Sequence, residues 1–520
     1  MKNLFFRLLP AVAFLFFISQ IHAQVTFPRN GVYDERDGVY AFTNAIIYTG
    51  VGEPLQKATL LIRKGRIEQI GNAVTIPKEA IVYDCKDKCI YPSFIDMYAQ
   101  YGMPEVPKAL PSFGRPQFVS NKKGAFSWNE ALRSEFNASD VFASSDKDAE
   151  TFRAAGFGAV LSHRADGISR GSGILVTTSS AADQKNILKT SAAHFMSFNK
   201  GSSTQNYPSS LMGAIALLRQ SYLDAAWYTT QNPKEETNFS IEAWNNLQNL
   251  PQIFEVSDKL EILRAARIAK EFNKKYIIKG NGDEYQRADE IIATGSELIL
   301  PLNFPDAYDV EDPLEARLIS LENLKHWELA PSNAALLYAA GKKDFAFTSF
   351  GLKEKKDIFK QIQKVIEAGL PEDVALHALT TTPAKLLGIE SELGTLAVGK
   401  RANFLVLSDK ISKKDVKLYH NWVNGDPYVL NDFSQPIAKG TYSFSYGDSI
   451  YKGMTISETN ETYIYKTDTN KIKADLKLDR NNVLLTFTPI GSNDIVRLSG
   501  ILEGGTFKGD GIVANGTIVK

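Results

Sequence analysis

Few residues in this chain are of the types that do chemistry, and their spacing limits what they can do. Histidine is scarce, six in 520 residues: His22 lies near the N-terminus, followed by His163, His194, His326, His377 and His420. No HxH, HExxH or HxxxH pair occurs, so a histidine-rich metal centre would have to converge from single residues on distant elements. His163, in LSHRADGISRG, follows a strand-like run and stands where barrel folds carry binding residues, which makes it a candidate binding group. His377 in ALHAL and His420 in LYHNW read as packed or surface side chains. The two cysteines, Cys85 and Cys89, stand in YDCKDKCIYP, which reads as strand, tight polar turn, strand, and the spacing is compatible with a disulfide. A metal at this pair would need two further ligands from elsewhere. There is no GxSxG elbow and no GxxxxGK[ST] phosphate loop, and Gly167, Gly171 and Gly173 in DGISRGSG read as a flexible loop.

Length and composition set the frame for these groups. With 59 basic against 59 acidic residues and 44% hydrophobic content, the chain is well cored, and no basic stripe marks it for nucleic acid. Lys2 and Arg7 precede the apolar run Leu8 to Ile18, and a small residue, Ala23, closes the polar stretch after it. This is the pattern of a cleaved secretory signal over residues 1–23; the run contains Pro10 and falls short of the roughly 20 residues that span a bilayer. The mature protein is expected to be periplasmic or otherwise exported, with no membrane span, and an oxidising compartment favours the disulfide.

Residues 24–91 contain short alternating runs, VYAFTNAIIYTG, ATLLIRKGRIEQIG and EAIVYDCKDKCIYP, which predict strands and hairpins of a small sheet. Over 92–390, helical segments such as DKLEILRAARIAKEFNKK and KEKKDIFKQIQKVIEAGL alternate with YIIKG, ELILPL and FAFTSF. That alternation predicts an α/β fold with parallel strands, of the size of one (β/α)8 barrel, with a doubly wound sheet as the alternative. Two stretches of low periodicity, 104–148 and 196–240, are expected as long loops over the barrel mouth. Strand texture returns over 391–435, and 440–520 predicts an all-β module. Its aromatic residues, Tyr442, Phe444, Tyr446, Tyr451, Tyr463, Tyr465, Phe487 and Phe507, permit a glycan- or peptide-binding face but suit a core better.

Two segments carry a resemblance. TNAIIYTGVGEPLQKATLLIRKGRIEQIGNAVTIPKEAIVYDCKDKCIYPSFIDMY resembles the opening of amidohydrolase-superfamily enzymes, and ALHALTTTPAKLLGIESELGTLAVGKRANFLVLSD resembles their closing stretch. The order and spacing extend the resemblance over roughly residues 40 to 410, and the middle section is similar to exported, imidazolonepropionase-like members. The resemblance implies a distorted TIM (β/α)8 barrel, a composite β-sandwich lobe built from the strands on either side of it, and the extra C-terminal all-β module. It also implies hydrolysis of C–N bonds other than peptide bonds, with one or two divalent metals activating water.

The residues that would hold those metals are substituted. Where the family has Pro-Gly-Phe-Ile-Asp-x-His-x-His, this chain has Pro92, Ser93, Phe94, Ile95, Asp96, Met97, Tyr98, Ala99 and Gln100. Further ligand positions fall on Glu255 and Gly280, and the late catalytic aspartate on Ser349. Asp96 remains as a candidate binding residue, and Asp96, Gln100 and Glu255 together would form an oxygen set better suited to Mg or Ca than to Zn. The expectation is an exported amidohydrolase-family protein with a degenerate site, no cofactor, and a role as non-catalytic partner of a His-complete homologue, since exported members resemble halves of a longer tandem arrangement. The alternatives are an active hydrolase of amide, cyclic amide or dipeptide-like substrates with zinc or another divalent metal in a non-standard shell, and a glycan- or peptide-binding protein.

Overall fold

The structure is a computed structural model that describes residues 38–107, 116–431 and 440–519, the last span without positions 447–448, 452, 458–460, 468–469, 480–481, 490, 504–505 and 514–517. The expected signal over 1–23 lies outside the described residues. The chain enters as β1 (Val39–Ile47), β2 (Leu55–Arg63) and β3 (Arg66–Gly71), an antiparallel set. Lys64 and Gly65, with φ of 49° and 76°, make the two-residue turn between β2 and β3 whose twist suits a hairpin. The next two strands, β4 (Ile81–Asp84) and β5 (Cys89–Pro92), depart from the hairpin expected around the cysteines. Both run parallel to β1 and follow one another along its free edge, β4 beside Tyr40–Thr43 and β5 beside Ile46–Ile47.

That arrangement removes the disulfide. Cys85 packs with Phe42, Tyr83 and Trp422, Cys89 with Tyr91 and Leu407 in a separate cluster, and both thiols are free. Two consecutive strands on one edge send these side chains into different cores instead of facing them across a ladder. Burial pushes both thiols up to about 12.

Eight further strands follow in chain order around a second sheet: β6 (Phe94–Ala99), β7 (Phe157–Ser162), β8 (Ser169–Thr177), β9 (Ile187–Ser197), β10 (Gln252–Glu255), β11 (Tyr276–Lys279), β12 (Glu297–Pro301) and β13 (Ala346–Thr348). All neighbours are parallel except at β8, which runs antiparallel to β7 and β9. The all-parallel expectation is corrected there, as is the loop expected over DGISRGSG, since Gly171 and Gly173 lie inside β8. Gly171 has φ +77°, and any Cβ would collide with the Phe136 carbonyl, so glycine is required for the crossing segment to lie against this strand.

Side chains alternate faces along the other strands. Ile253, Ile277, Ile299 and Ala346 fill the interior; Phe254, Ile278, Leu300 and Phe347 face outward among helix residues such as Ile262, Ala265 and Ile362. The segment 196–240, expected as loop, contains the helix α1 (Leu211–Thr230), capped by Ser210. It buries Leu217, Leu218 and Tyr222 but also exposes Met212, Leu223 and Trp227, and apolar residues on both faces blur the helical period. Helix α2 (Lys259–Glu271) has the clean pattern, with Asp258 capping the backbone N–H groups of Leu260 and Glu261.

The chain then returns to the first sheet as β14 (Phe404–Leu407), β15 (Leu418–Val423) and β16 (Asp426–Val429), with β14 antiparallel to β5, so one sheet is assembled from both sides of the barrel segment. From Gly440 to Val519 eight strands form an antiparallel meander. Phe444, Tyr451 and Phe487 pack in its core with Ile464 and Leu498. No helix among the described residues is long and apolar enough to cross a membrane.

The two ends of the barrel sheet meet through one buried carboxylate. Asp96 Oδ1 accepts from the Thr348 hydroxyl at 2.6 Å and the Tyr98 N–H at 3.0 Å; Oδ2 accepts from the Ser349 hydroxyl at 2.6 Å and its N–H at 3.0 Å. Asp96→Ala strands four donors, and a loss of about 3 kcal/mol is expected in urea unfolding. Thiol titration with a chromogenic disulfide is expected to find two thiols per chain in denaturant and none in the native protein.

Candidate functional site

Because the strand ends on the β10–β13 side alternate in register, the side chains facing inward at their C-terminal tips are Glu255, Lys279 and Thr348, in phase with Ile253, Ile277 and Ala346. Tyr98 comes in from β6 and His163 from the end of β7. Across them lies Arg170 of β8, fully enclosed, whose guanidinium donates to Tyr98 Oη at 2.7 Å, to Glu255 Oε2 at 2.7 Å and to the Gly167 carbonyl at 3.2 Å. The ammonium of Lys279 stands 3.6 Å from Glu255 Oε1 and over the rings of Tyr98 and Phe350. His163 stacks flat on Phe195, centroids 3.8 Å apart, with Nε2 at 3.5 Å from Arg170 Nη1.

The electrostatics follow from burial and these pairings. Burial pushes the Glu255 carboxyl up, but the charges of Arg170 and Lys279 and the hydrogen bonds from Arg170 and Tyr98 outweigh it and hold the group at about 2. Burial lowers Lys279 despite the pull of Glu255, and it raises the Tyr98 phenol, which therefore stays protonated. Burial, with Arg170 adding to it, keeps His163 well below the usual histidine range and so neutral.

The residues singled out from sequence divide accordingly. Tyr98, His163 and Glu255 are brought together. Gln100 is exposed beyond the end of β6 and takes no part. Gly280 is one residue out of phase: the inward group is Lys279, and a Cβ at Gly280 would collide with the buried carboxylate of Glu284. Ser349 and Asp96 belong to the barrel closure, where Lys355 Nζ approaches Ser349 Oγ at 3.4 Å. His194 is a packing residue, bonded to Gln252 and to Ser169, each at 2.9 Å.

Sequence reading missed Arg170 and Lys279. A lysine ending the apolar strand YIIK is a signal that finds the second. Arg170 gives none, because its strand was read as loop.

A divalent metal does not fit this donor set. Both oxygens of Glu255 are engaged by cations of the chain, His163 Nε2 faces a guanidinium, and no group of three or more His, Cys, Asp or Glu suited to a metal occurs among the described residues. A divalent ion about 5 Å from a fixed unit charge would be repelled by roughly 7 kcal/mol at an effective dielectric of about 20.

The fold and the closing segment have known counterparts. Residues 340–434 match the sequence model of the Amidohydrolase family. The structure superposes on an amidohydrolase from Thermotoga maritima MSB8 with TM-score 0.59 and 21% identity, over 75% of this chain and 100% of that one. The chain therefore has the fold of an amidohydrolase, and its closing segment matches that family's model. More distant matches include a second amidohydrolase (14% identity, TM-score 0.44, 76% of this chain and 100% of the other) and a β-aspartyl dipeptidase from Fervidobacterium islandicum (12%, 0.42, 76% and 100%). No curated protein sequence matches the chain. The amidohydrolase scaffold is thus present while the strand tips carry an internal ion-pair network.

Glu255→Gln removes the carboxylate and leaves Arg170 and Lys279 facing each other in a buried site, so a loss of about 3 kcal/mol is expected at neutral pH. A carboxyl whose folded pKa lies below its unfolded value stabilises above the unfolded pKa and loses that contribution as pH falls through the folded one. The difference between wild type and Glu255→Gln in urea unfolding is therefore expected to shrink from pH 4.5 towards pH 2.

Proposed function

We propose that this chain is a non-catalytic, exported member of the amidohydrolase superfamily that acts by binding, as the partner of a His-complete homologue that carries out the C–N hydrolysis. The observation that carries the reading is the double engagement of Glu255: one oxygen on Arg170, the other facing Lys279. In a catalytic relative of this kind the carboxylates and imidazoles at the strand tips are needed as metal donors, and the metal supplies a water of lowered pKa and a polarised carbonyl. Here the same tips are spent on each other. Tyr98 and Arg170, which reach across the interior from β6 and β8, are buried at these tips. The substituted first-strand histidines and the serine at position 349 support the same reading.

The test is elemental analysis of the purified mature protein after incubation with Zn and Mn and gel filtration. Less than about a tenth of an equivalent retained is the expected result. One equivalent or more would overturn the reading in favour of a hydrolase with a non-standard shell. Co-purification from the native envelope is expected to recover a homologue with an intact HxH pair, and its absence would sink the partner role.

A further inference from the structure

A groove of about 600 Å³ opens outside the barrel interior, between the segment 122–141 and the turn that follows β7. Its two arginines are tied to one buried carboxylate, although Arg164 Nε has no hydrogen-bond partner among the described residues. Arg133 and Arg164 both hold the buried Asp166, and Arg133 also donates to Ser202 and to the Glu130 carbonyl. Its carboxylates are not all spent. Glu130 uses Oε1 for Gln117, Ser120 and Asn121, and Asp140 uses Oδ1 for Asn137 and Ser139. Glu135, with a side chain 15% exposed, bonds Lys122 through Oε1, while its buried Oε2 has no hydrogen-bond partner among the described residues. A buried carboxylate oxygen without a donor is costly and marks a place where a donor belongs. The remaining walls mix the polar Ser127, Asn129 and Asn137 with apolar residues, among them the aromatic Phe126 and Phe136.

One side chain already shows what the groove accepts. The ammonium of Lys122, on a partly exposed side chain, bonds Glu135 and sits 3.7 Å above the centre of the Phe126 ring. A cation between a carboxylate and an aromatic face is the arrangement that recognises organic ammonium groups. We propose that this groove is a binding site for a primary ammonium carried on an apolar body, such as an alkylamine or a lysine side chain of a peptide, and that Lys122 fills the position in the free protein and moves aside on binding. The site is independent of the Arg170 network and stands or falls separately from the function proposed above.

The test is calorimetric titration of the full mature protein with n-hexylamine, with hexanoate and hexanol as matched anionic and neutral probes. Hexylamine alone is expected to bind saturably. Glu135→Gln is expected to weaken it at least about tenfold, and Lys122→Ala, which removes the competing ammonium, to strengthen it about fivefold. Far-UV circular dichroism and the melting midpoint establish that each variant is folded; should Glu135→Gln fail to fold, Lys122→Ala decides alone. Binding of hexanoate as tight as that of the amine, no change in a folded Glu135→Gln, or unchanged or weaker binding in Lys122→Ala would each overturn the proposal.

Discussion

The site is organised by one contact, the guanidinium of Arg170 against the carboxylate of Glu255. Both groups are withdrawn from water, and withdrawal of either charge alone would cost several kcal/mol. Together they are tolerable because the planar guanidinium spreads its donors over Glu255, the Tyr98 hydroxyl and a backbone carbonyl at once. Lysine at position 170 would supply the charge without that geometry. Once Arg170 is in place, burial and the guanidinium together keep His163 neutral, burial keeps Tyr98 protonated against the pull of the guanidinium, and the guanidinium with Lys279 keeps Glu255 ionised against burial.

The reversal of β8 is what makes the contact available. A strand running against its neighbours presents Arg170 to β6 and β10, and irregular pairing between Ser169 and Ser172 interrupts the simple alternation around it. The crossing segment 131–137 lies against this strand, through Ser134 on Ser169 and Asn137 on Ser172, and it is admitted by the absence of a side chain at Gly171. The same segment walls the amine groove, so the strand that fills the barrel mouth also supports the open cavity beside it. Asp96 does separate work, closing the sheet between β6 and β13 with donors supplied wholly by backbone and hydroxyl groups.

Much of the scaffold was legible because its signals are local. YIIKG, ELILPL and FAFTSF form β11, β12 and β13, and both segments that carried the family resemblance lie in the composite sheet and the adjoining barrel. What failed did so for stated reasons. Gly280 was one residue from the inward position, and in a strand a single step reverses the face. The cysteines looked like a hairpin pair because sequence shows two short strands and a turn, whereas it does not show that both strands share one edge of β1. Helix α1 was hidden by apolar residues on its outer face.

The sequence by itself determined the composition of the layers, the resemblance at both ends of the barrel segment and the absence of histidine from the first barrel strand, since each of these is written in residue type and short-range spacing. Only the tertiary structure decided what occupies the strand tips. Arg170, Glu255 and Lys279 come from three strands far apart in the chain, and their contact depends on the direction of β8 and the register of β10 and β11. A hydrogen-bonded ion pair needs its groups within about 4 Å and has no counterpart in sequence distance, so the network that occupies the strand tips exists only once the barrel strands are in place.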